Sequence, residues 1–240
     1  AKRTRSILMF LGPLLHQYES FQIPFSGGCN LGTRTIEPHL AGLKHFGANI
    51  TAQTDFYEVT NKPKNVSKPI LLTERGDTTT ENIIMAAALS GQEVIIRNAS
   101  PNYMVQDVCF FLEKLGVKIE GIGTTILKIH GVSKIEKDVE YCVSEDPIEA
   151  ITFVAVALVT NSELIIKRVP IEFTELEIAV LEQMGMQYDI SDEYLSRNQK
   201  TRLVDLKIKK SELTSAKDKL HSLPFPGVNM EENEVYLWLM

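Results

Sequence analysis

A repeat of 69 residues is the feature that most limits the folds open to this chain. Three segments share one pattern, in which the end of an amphipathic helix is followed by a glycine and then by the start of a strand: LAGLKHFGANI, FFLEKLGVKI and AVLEQMGMQYDI. Their glycines, Gly47, Gly116 and Gly185, lie at two equal intervals of 69 residues. Glycine suits the left-handed backbone that ends a helix, because any side chain is disfavoured there. The equal spacing predicts a structure assembled from copies of one unit.

The segments between these glycines recur as well. TENIIMAAALSG and IEAITFVAVALVTN predict an earlier helix in two of the units, with Ile84 and Phe153 again 69 residues apart. EVIIRN and ELIIKR predict the strands that follow these helices. Stretches such as VKIEGIGTTILKIHGV alternate apolar and polar residues around glycines, which is typical of paired strands. We therefore predict an α/β (α+β) fold built from repeated βαβαββ units.

The period also predicts the domain organisation. The 240 residues correspond to about three and a half units. We expect a first lobe at 1–144, with about two units, and part of a second lobe at 145–240, with one unit and the start of another at EENEVYLWLM. On this count the fold is expected to be incomplete. The Pro- and Lys-rich stretch NKPKNVSKP is expected to be a surface connection within the first lobe.

Charge and hydropathy exclude several classes of protein. The formal net charge is −6, from 25 Lys+Arg and 31 Asp+Glu, and the lysines are scattered, which argues against a nucleic-acid-binding face. No apolar stretch approaches the roughly 18 residues of a membrane span, and the N-terminal segment lacks the pattern of a signal peptide. We expect a cytoplasmic protein without a membrane partner. The sequence carries no signal for an oligomeric state.

The cysteines argue against disulfides and metal. Cys29, Cys109 and Cys142 form no CxxC pair, so we expect a reducing compartment and no zinc site. We also expect no cofactor. Cys109 lies among apolar residues at helical spacing and is predicted to be a core residue. Cys142, in EYCV, is predicted to pack from a strand.

The segment FSGGCNLGTRTIEPH, residues 25–39, differs from its surroundings. It joins a predicted strand, FQIPF, to a helix predicted from about Thr35 to Phe46. Its glycines allow backbone N–H groups to approach an anion. Cys29 lies before a helix N-terminus and near Arg34, and both favour the thiolate that makes a cysteine reactive. The alternative is a flexible glycine loop with an incidental cysteine.

GGCNLGTRTIEPHLAGLKHFGANI resembles the catalytic-loop signature of the UDP-N-acetylglucosamine enolpyruvyl transferases, GGCxIGxRPxDxHxxGLxxLGA. The likeness continues, in the same order, through TENIIMAAALSG, SEDPIEAITFV and LPFPGVNMEEN, so it covers essentially the whole chain. The related enolpyruvylshikimate-phosphate synthases share the repeat fold but lack the GGC loop. The resemblance implies a two-lobed enolpyruvyl transferase-like fold.

This resemblance implies a reaction. The family transfers the enolpyruvyl group of phosphoenolpyruvate to the 3-hydroxyl of UDP-N-acetylglucosamine and releases phosphate through a tetrahedral intermediate, in the first committed step of peptidoglycan synthesis. Phosphoenolpyruvate and UDP-N-acetylglucosamine are thus the expected ligands. By the same resemblance, Cys29 is the acid that protonates the methylene carbon and the residue that fosfomycin alkylates. Arg5 and Arg34 match arginines that hold phosphate, for which the multi-donor guanidinium is well shaped.

The resemblance also assigns residues to the sugar nucleotide. Thr35, Ile36, Glu37 and Pro38 match the stretch that cradles the uracil, and His39 follows in the same signature. Glu37 and Pro38 replace the usual Asp and Leu. For Glu37, His39 and the two arginines, the alternative is a solvated helix end.

Two further matches carry substitutions. An ungapped match places Glu231 on the catalytic Asp, the proposed base for the sugar hydroxyl, whereas a one-residue gap would place Asn229 there and remove the base. The alternative for Glu231 is a carboxylate favoured by a helix N-terminus. At residues 76–80, GDTTT replaces the usual SVGAT of a diphosphate-binding turn.

Within this turn Thr78 is assigned to the substrate, and Asp77 would repel phosphates unless it turns away. Glu74 stands where a basic residue is usual. Two alternatives to the family reaction therefore stay open. One is a divergent enolpyruvyl transferase with another acceptor, and the other is a non-catalytic or truncated relative that binds a nucleotide sugar.

Overall fold

The computed structural model describes residues 5–25 and 35–215, and the chain divides into two compact units, Ala1–Glu140 and Tyr141–Met240. The α-helices are α1 (Leu11–Leu14), α2 (Glu37–Leu43), α3 (Asp77–Ala88), α4 (Tyr103–Lys114), α5 (Pro147–Val159) and α6 (Glu175–Gln183). Short 3-10 helices cover Arg5–Phe10, Lys44–Phe46 and Ile171–Phe173. The strands are β1 (Ser20–Pro24), β2 (Ala48–Ala52), β3 (Phe56–Asn61), β4 (Ile70–Leu71), β5 (Glu93–Arg97), β6 (Lys118–Glu120), β7 (Ile126–His130), β8 (Leu164–Pro170), β9 (Tyr188–Ile190), β10 (Tyr194–Leu195) and β11 (Arg202–Ile208).

The first unit contains two sheets. An antiparallel sheet has the order β1-β3-β2, and a mixed sheet has the order β4-β5-β7-β6, in which β4 and β5 run parallel. The strand pair predicted from VKIEGIGTTILKIHGV is confirmed, because β6 and β7 pair antiparallel with Ile119 opposite Ile129. Both isoleucines are buried, so the alternation of apolar and polar residues directs one face of this pair into the core.

The second unit repeats this layering with one sheet. Its described strands have the order β10-β11-β8, and β9 also pairs with β11. Helix α5 packs on this sheet through Ile151, Val154 and Leu158, which lie on one side of the helix and are buried. Asp146 caps the helix, because its side-chain oxygen accepts the Ile148 N–H at 2.8 Å.

Helix α3 is the central element of the first unit. Ile83 and Ile84 have no exposed surface, and α1, α2 and α4 all contact the helix. The contact with α1 is close, since a Cβ on Gly12 would overlap the Asn82 carbonyl oxygen and lie 2.8 Å from its side-chain Oδ1. Glycine at position 12 therefore permits the approach of the first segment, residues 5–14, to α3.

The predicted helix-ending glycines are confirmed. Gly47, Gly116 and Gly185 have φ angles of +100°, +102° and +110°, and each is followed by a strand. The same left-handed backbone thus recurs at the predicted interval, because each copy must reverse direction between its second helix and the next strand.

The register of the earlier helix differs from the prediction by one residue. Left-handed φ angles mark corresponding positions in the two copies 70 residues apart: Gly91 and Asn98 in one, Asn161 and Arg168 in the other. Phe153 therefore corresponds to Ile83, and its predicted match with Ile84 is wrong. The segment from Arg168 to Gly185 is one residue shorter than its counterpart, from Asn98 to Gly116. This difference restores the interval of 69 between the two glycines.

Corresponding positions of α3 and α5 differ sharply in burial. Ile83 is 0% exposed and Phe153 is 47% exposed, while Ala86 is 0% and Val156 is 42% exposed. In the first unit this face is covered by α1 and α2, with Gly42 placed against the Ile83 side chain. Within 141–215, the described part of the second unit, no helix covers the matching face of α5.

Other predictions have mixed outcomes. Cys109 is fully buried in α4, as predicted. The strand predicted around Cys142 is wrong, because 131–146 has no regular structure and the residue is half-buried. NKPKNVSKP is confirmed as a largely exposed connection between β3 and β4. None of the helices within 5–25 and 35–215 is long and apolar enough to span a membrane.

Substitution of two of the repeat glycines distinguishes the cost of a left-handed backbone from the cost of steric overlap. A Cβ at Gly116 meets no atom within 4 Å, whereas a Cβ at Gly47 would overlap the Lys62 carbonyl oxygen. Gly116→Ala should lower the free energy of unfolding by about 1 kcal/mol, from the left-handed backbone alone. Gly47→Ala should lower it by at least about 1 kcal/mol more, because a backbone atom must also move. Urea unfolding of both variants tests this, and equal losses would contradict it.

Candidate functional site

A cleft of about 240 Å³ in the first unit is formed by three segments that are distant in sequence. Its lining residues are Arg5, Thr35, Pro38, His39, Glu74, Thr78 and Thr79. Five of these seven were assigned to substrate by the family resemblance: Arg5, Thr35, Pro38, His39 and Thr78. The fold therefore brings together residues up to 74 positions apart, although nothing in the cleft itself identifies the ligand.

The start of α2 places three of the lining residues. Thr35 Oγ1 accepts the Glu37 N–H at 3.1 Å, which turns the chain into the helix. Pro38 stands in the first turn, where its fixed φ suits a helix and its missing N–H has no intrahelical role. Since α2 begins in this way, Thr35, Pro38 and His39 follow one another along the cleft wall.

Arg5 supplies the positive charge of the described cleft. Its Nη2 donates to the Thr35 carbonyl oxygen at 2.8 Å, which ties the first segment to the start of α2. A guanidinium has five donors in a planar fork, a geometry that matches the oxygens of phosphate and carboxylate. Arg5 is thus suited to phosphate or carboxylate.

His39 is buried, so the alternative of a solvated helix end is wrong for this residue. Its Nδ1 lies 3.1 Å from the side-chain Nδ2 of Asn82, on α3. Burial, and then the positive charge of Arg5, lower the His39 pKa to about 4. The imidazole is therefore uncharged at neutral pH, and it adds a polar group to the cleft without adding charge.

Asp77 is turned away from the cleft. Its carboxylate accepts the Ser100 hydroxyl and, at 3.0 Å, the side-chain amide of Asn102. Asp77 opens α3, and its neighbours Thr78 and Thr79 line the cleft in its place. The repulsion expected from a negative charge in the GDTTT turn is therefore reduced by the loop that follows β5.

The first turn of α3 faces the cleft with contrasting charges. Gly76, which precedes the helix, provides no capping side chain, so the first N–H groups of α3 are available to an anion. Glu74 also lines the cleft and is exposed. Its carboxylate opposes an anion at this helix end, whereas Arg5 favours one. The charges therefore favour an anion on the Arg5 side of the cleft.

Some predicted residues lie elsewhere. Ile36 is buried in the core of the first unit and Glu37 is exposed, and neither lines the cleft. Cys29, Arg34 and Glu231 lie outside the described residues. Arg34 directly precedes Thr35 in the chain.

Sequence reasoning missed Asn82 and Thr79. Asn82 is fully buried, and its side chain joins the first segment to α2 and α3 through its contact with His39. A lone amide in the apolar run TENIIMAAALSG is a signal of a buried hydrogen bond, because such a group must find partners inside a protein. Thr79 could have been found from its place in the first turn of that helix.

A larger cavity, of about 480 Å³, lies in the second unit between the start of α5 and β8. Glu145 and Arg168 form an ion pair at its edge, and Glu145 also accepts the Ser196 hydroxyl at 3.0 Å. In the 70-residue register this pair corresponds to Arg75 and Asn98, which are also hydrogen-bonded. A polar pair thus recurs at this position in both units. None of the predicted site residues lines the cavity.

No group of three or more His, Cys, Asp or Glu residues able to hold a metal ion occurs within 5–25 and 35–215.

Comparisons with known proteins cover most of the chain. The family model described as EPSP synthase (3-phosphoshikimate 1-carboxyvinyltransferase) matches residues 6–226. UDP-N-acetylglucosamine 1-carboxyvinyltransferase 1 of Carboxydothermus hydrogenoformans is 33% identical over 227 residues, which are 95% of this chain and 51% of that protein. The protein of the same name from Symbiobacterium thermophilum is 35% identical over 184 residues, 77% of this chain and 42% of that one. The chain spans about half the length of the curated relatives it matches.

Solved structures share the fold at low identity. The enolpyruvyl transferase NikO from Streptomyces tendae matches with a TM-score of 0.73 and 16% identity, over 95% of this chain and 52% of that one. EPSP synthase from Acinetobacter baumannii matches with a TM-score of 0.65 and 19% identity, over 86% and 47%. These likenesses confirm the predicted mixed α/β fold, of which the chain covers about half.

Glu81, one turn into α3, should make stability depend on pH. Burial, then the charges of Asp77 and Asp107, raise its pKa to about 7. An unfolded glutamate ionises near 4.5, so the folded state holds the extra proton between these values and stability falls as pH rises through them. Glu81→Gln should raise the free energy of unfolding on the order of 1 kcal/mol near pH 8 and leave it almost unchanged near pH 4.

Urea unfolding at the two pH values measures this difference, with Glu19→Gln, at an exposed position of the same unit, as the control. The same gain at both pH values would contradict a titrating Glu81.

Proposed function

The chain belongs to the EPSP synthase family of enolpyruvyl transferases, and from this membership we propose that it transfers the enolpyruvyl group of phosphoenolpyruvate to the 3-hydroxyl of UDP-N-acetylglucosamine. This is a step of peptidoglycan synthesis. The observation that carries the proposal is the convergence of Arg5, Thr35, Pro38, His39 and Thr78 on one cleft. The curated relatives named for this activity support the choice of acceptor.

The reaction needs an acid, a base and a site for phosphate. In the proposed roles, the Cys29 thiol gives its proton to the methylene carbon of phosphoenolpyruvate, and Glu231 takes the proton of the sugar 3-hydroxyl. That oxygen then bonds to the central carbon, which gives a tetrahedral intermediate. Return of a proton from the methyl carbon to the enzyme and loss of phosphate restore the double bond. No cofactor is required.

The described side chains bind and orient rather than transfer protons. Arg5 provides the charge and the directional donors that a phosphate requires, and the open first turn of α3 adds backbone N–H groups. His39 is neutral, and the Asp77 carboxylate is turned to Ser100 and Asn102, so Arg5 is left as the cation that lines the described cleft. Holding two substrates in a fixed orientation accounts for a large part of the rate in such transfers.

The test of this function is phosphate release from phosphoenolpyruvate and UDP-N-acetylglucosamine. We expect release that requires both substrates and is abolished in Cys29→Ala. Cys109→Ala is the matched control, because the Cys109 thiol is buried and its pKa is raised to about 12 by burial and by Glu113 and Glu81. No release when both substrates are present would contradict the proposal.

Fosfomycin provides an independent test of Cys29. An epoxide is opened by a thiolate, so mass spectrometry should find one adduct, on Cys29, in the wild type and in Cys109→Ala. No adduct should form in Cys29→Ala. An unlabelled Cys29 in the wild type would favour the alternative of a relative that binds a nucleotide sugar without turnover.

Glu74 favours a second candidate, in which the same chemistry serves another acceptor. Its carboxylate lines the cleft just before the N-terminus of α3, where a diphosphate would be repelled. A transferase whose acceptor presents hydroxyl or N–H donors there would fit this charge. Exchange of the acceptor in the phosphate-release assay distinguishes the two candidates.

Removal of either carboxylate near α3 measures its effect on the nucleotide. Glu74→Gln should tighten UDP-N-acetylglucosamine binding by about tenfold, because a like charge a few ångströms from phosphate opposes binding on the order of 1 kcal/mol. Asp77→Asn should change affinity much less, since Asp77 faces Ser100 and Asn102. Calorimetric titration tests both, and equal effects would show that Glu74 does not face the phosphates.

A further inference from the structure

The side-chain amide of Asn82 has an orientation that the backbone determines. The Gly12 N–H donates to Oδ1 at 2.7 Å, and Nδ2 donates to the Leu8 carbonyl oxygen at 2.7 Å. Turning the amide over would set donor against donor and acceptor against acceptor in a fully buried place. The nitrogen is therefore the atom that faces His39.

This orientation determines the protonation of the ring. Asn82 Nδ2 lies 3.1 Å from His39 Nδ1. An amide nitrogen donates and does not accept, so Nδ1 must offer its lone pair, and the proton of the neutral ring is on Nε2. The low pKa of His39, which burial and Arg5 cause, agrees with a neutral ring.

His39 nevertheless belongs to the wall of the cleft. Among the described residues, Nε2 has no hydrogen-bond partner. The charged groups of the described cleft are Arg5, from the first segment, and Glu74, before α3, while Glu37 lies on the same helix as His39. Helix α3 presents the uncharged Asn82 and Thr79.

We propose that Asn82 is a positioning residue that holds His39 as the neutral Nε2–H tautomer, so that the cleft offers a bound sugar nucleotide a donor without a charge. The ligand group it meets is an oxygen acceptor, a carbonyl or a phosphate oxygen. The ligand in this statement rests on the proposed function, whereas the tautomer rests on the geometry of Asn82 alone. A donor of this kind stabilises the ligand without repelling the guanidinium of Arg5.

Nitrogen-15 NMR of the histidine rings tests the tautomer without any ligand. The His39 signals, assigned by their loss in His39→Gln, should show a proton on Nε2, none on Nδ1, and no titration between about pH 5 and pH 8. In Asn82→Asp a carboxylate accepts in place of the donor, so Nδ1 should gain a proton and the ring should become charged. A wild-type ring with its proton on Nδ1 would overturn the proposal.

Asn61→Asp is the matched control. Asn61 is also buried, and its Nδ2 donates to the Leu15 carbonyl oxygen at 2.7 Å, but among the described residues it has no hydrogen bond to a histidine. This variant loses the same kind of backbone contact and should leave the His39 spectrum unchanged. The same change in both variants would show a general loss of structure and overturn the specific role of Asn82. If Asn82→Asp does not fold, the wild-type spectrum decides.

Binding of UDP-N-acetylglucosamine tests what the donor does. His39→Gln keeps an N–H donor and should bind within about twofold of the wild type, whereas His39→Phe should bind about tenfold more weakly. Equal affinities of all three proteins would overturn the donor role. If the wild type binds no sugar nucleotide although the spectrum shows the Nε2–H form, the proposed function fails and the positioning role of Asn82 stands.

Discussion

The side-chain amide of Asn82 is the contact on which the first unit and its cleft depend. It bonds at once to the main chain at Leu8 and Gly12 and to the ring of His39, so three separate segments meet at one buried group. A buried amide left without partners would destabilise the fold, which makes these positions mutually dependent. The cleft opens beside this junction, and its geometry is therefore part of the core rather than an addition to the surface.

Two carboxylates close together in sequence show how much the surroundings decide. Asp77 accepts hydrogen bonds from Ser100 and Asn102 and does not line the cleft, whereas Glu74 does. Local sequence places both near the start of α3 and assigns both the same charge. Their different effects on a bound anion come from the loop after β5, which supplies donors to one carboxylate and not to the other.

The repeat connects the two units without making them equivalent. Helices α3 and α5 share a register of 70 residues and bury the same side against their own sheets, yet Ile83 is covered and Phe153 is exposed. The difference lies in what packs on the other side, since α1 and α2 approach α3 through glycines. The apolar face of α3 is covered by neighbouring helices. The matching face of α5 has no such neighbour in the described part of the second unit.

The amino-acid sequence by itself determined the period, the helix-ending glycines and most helices and strands, because periodicity is a local property, and the family resemblance pointed to five residues that line the cleft. It did not determine the register of α5, the absence of a strand at Cys142, the place of Ile36 in the core or the direction of Asp77. It also missed Asn82, whose three partners are 43 to 74 residues away. Only the tertiary structure decided these points, since burial and hydrogen-bond partners depend on segments that meet in space and leave no mark at fixed spacing.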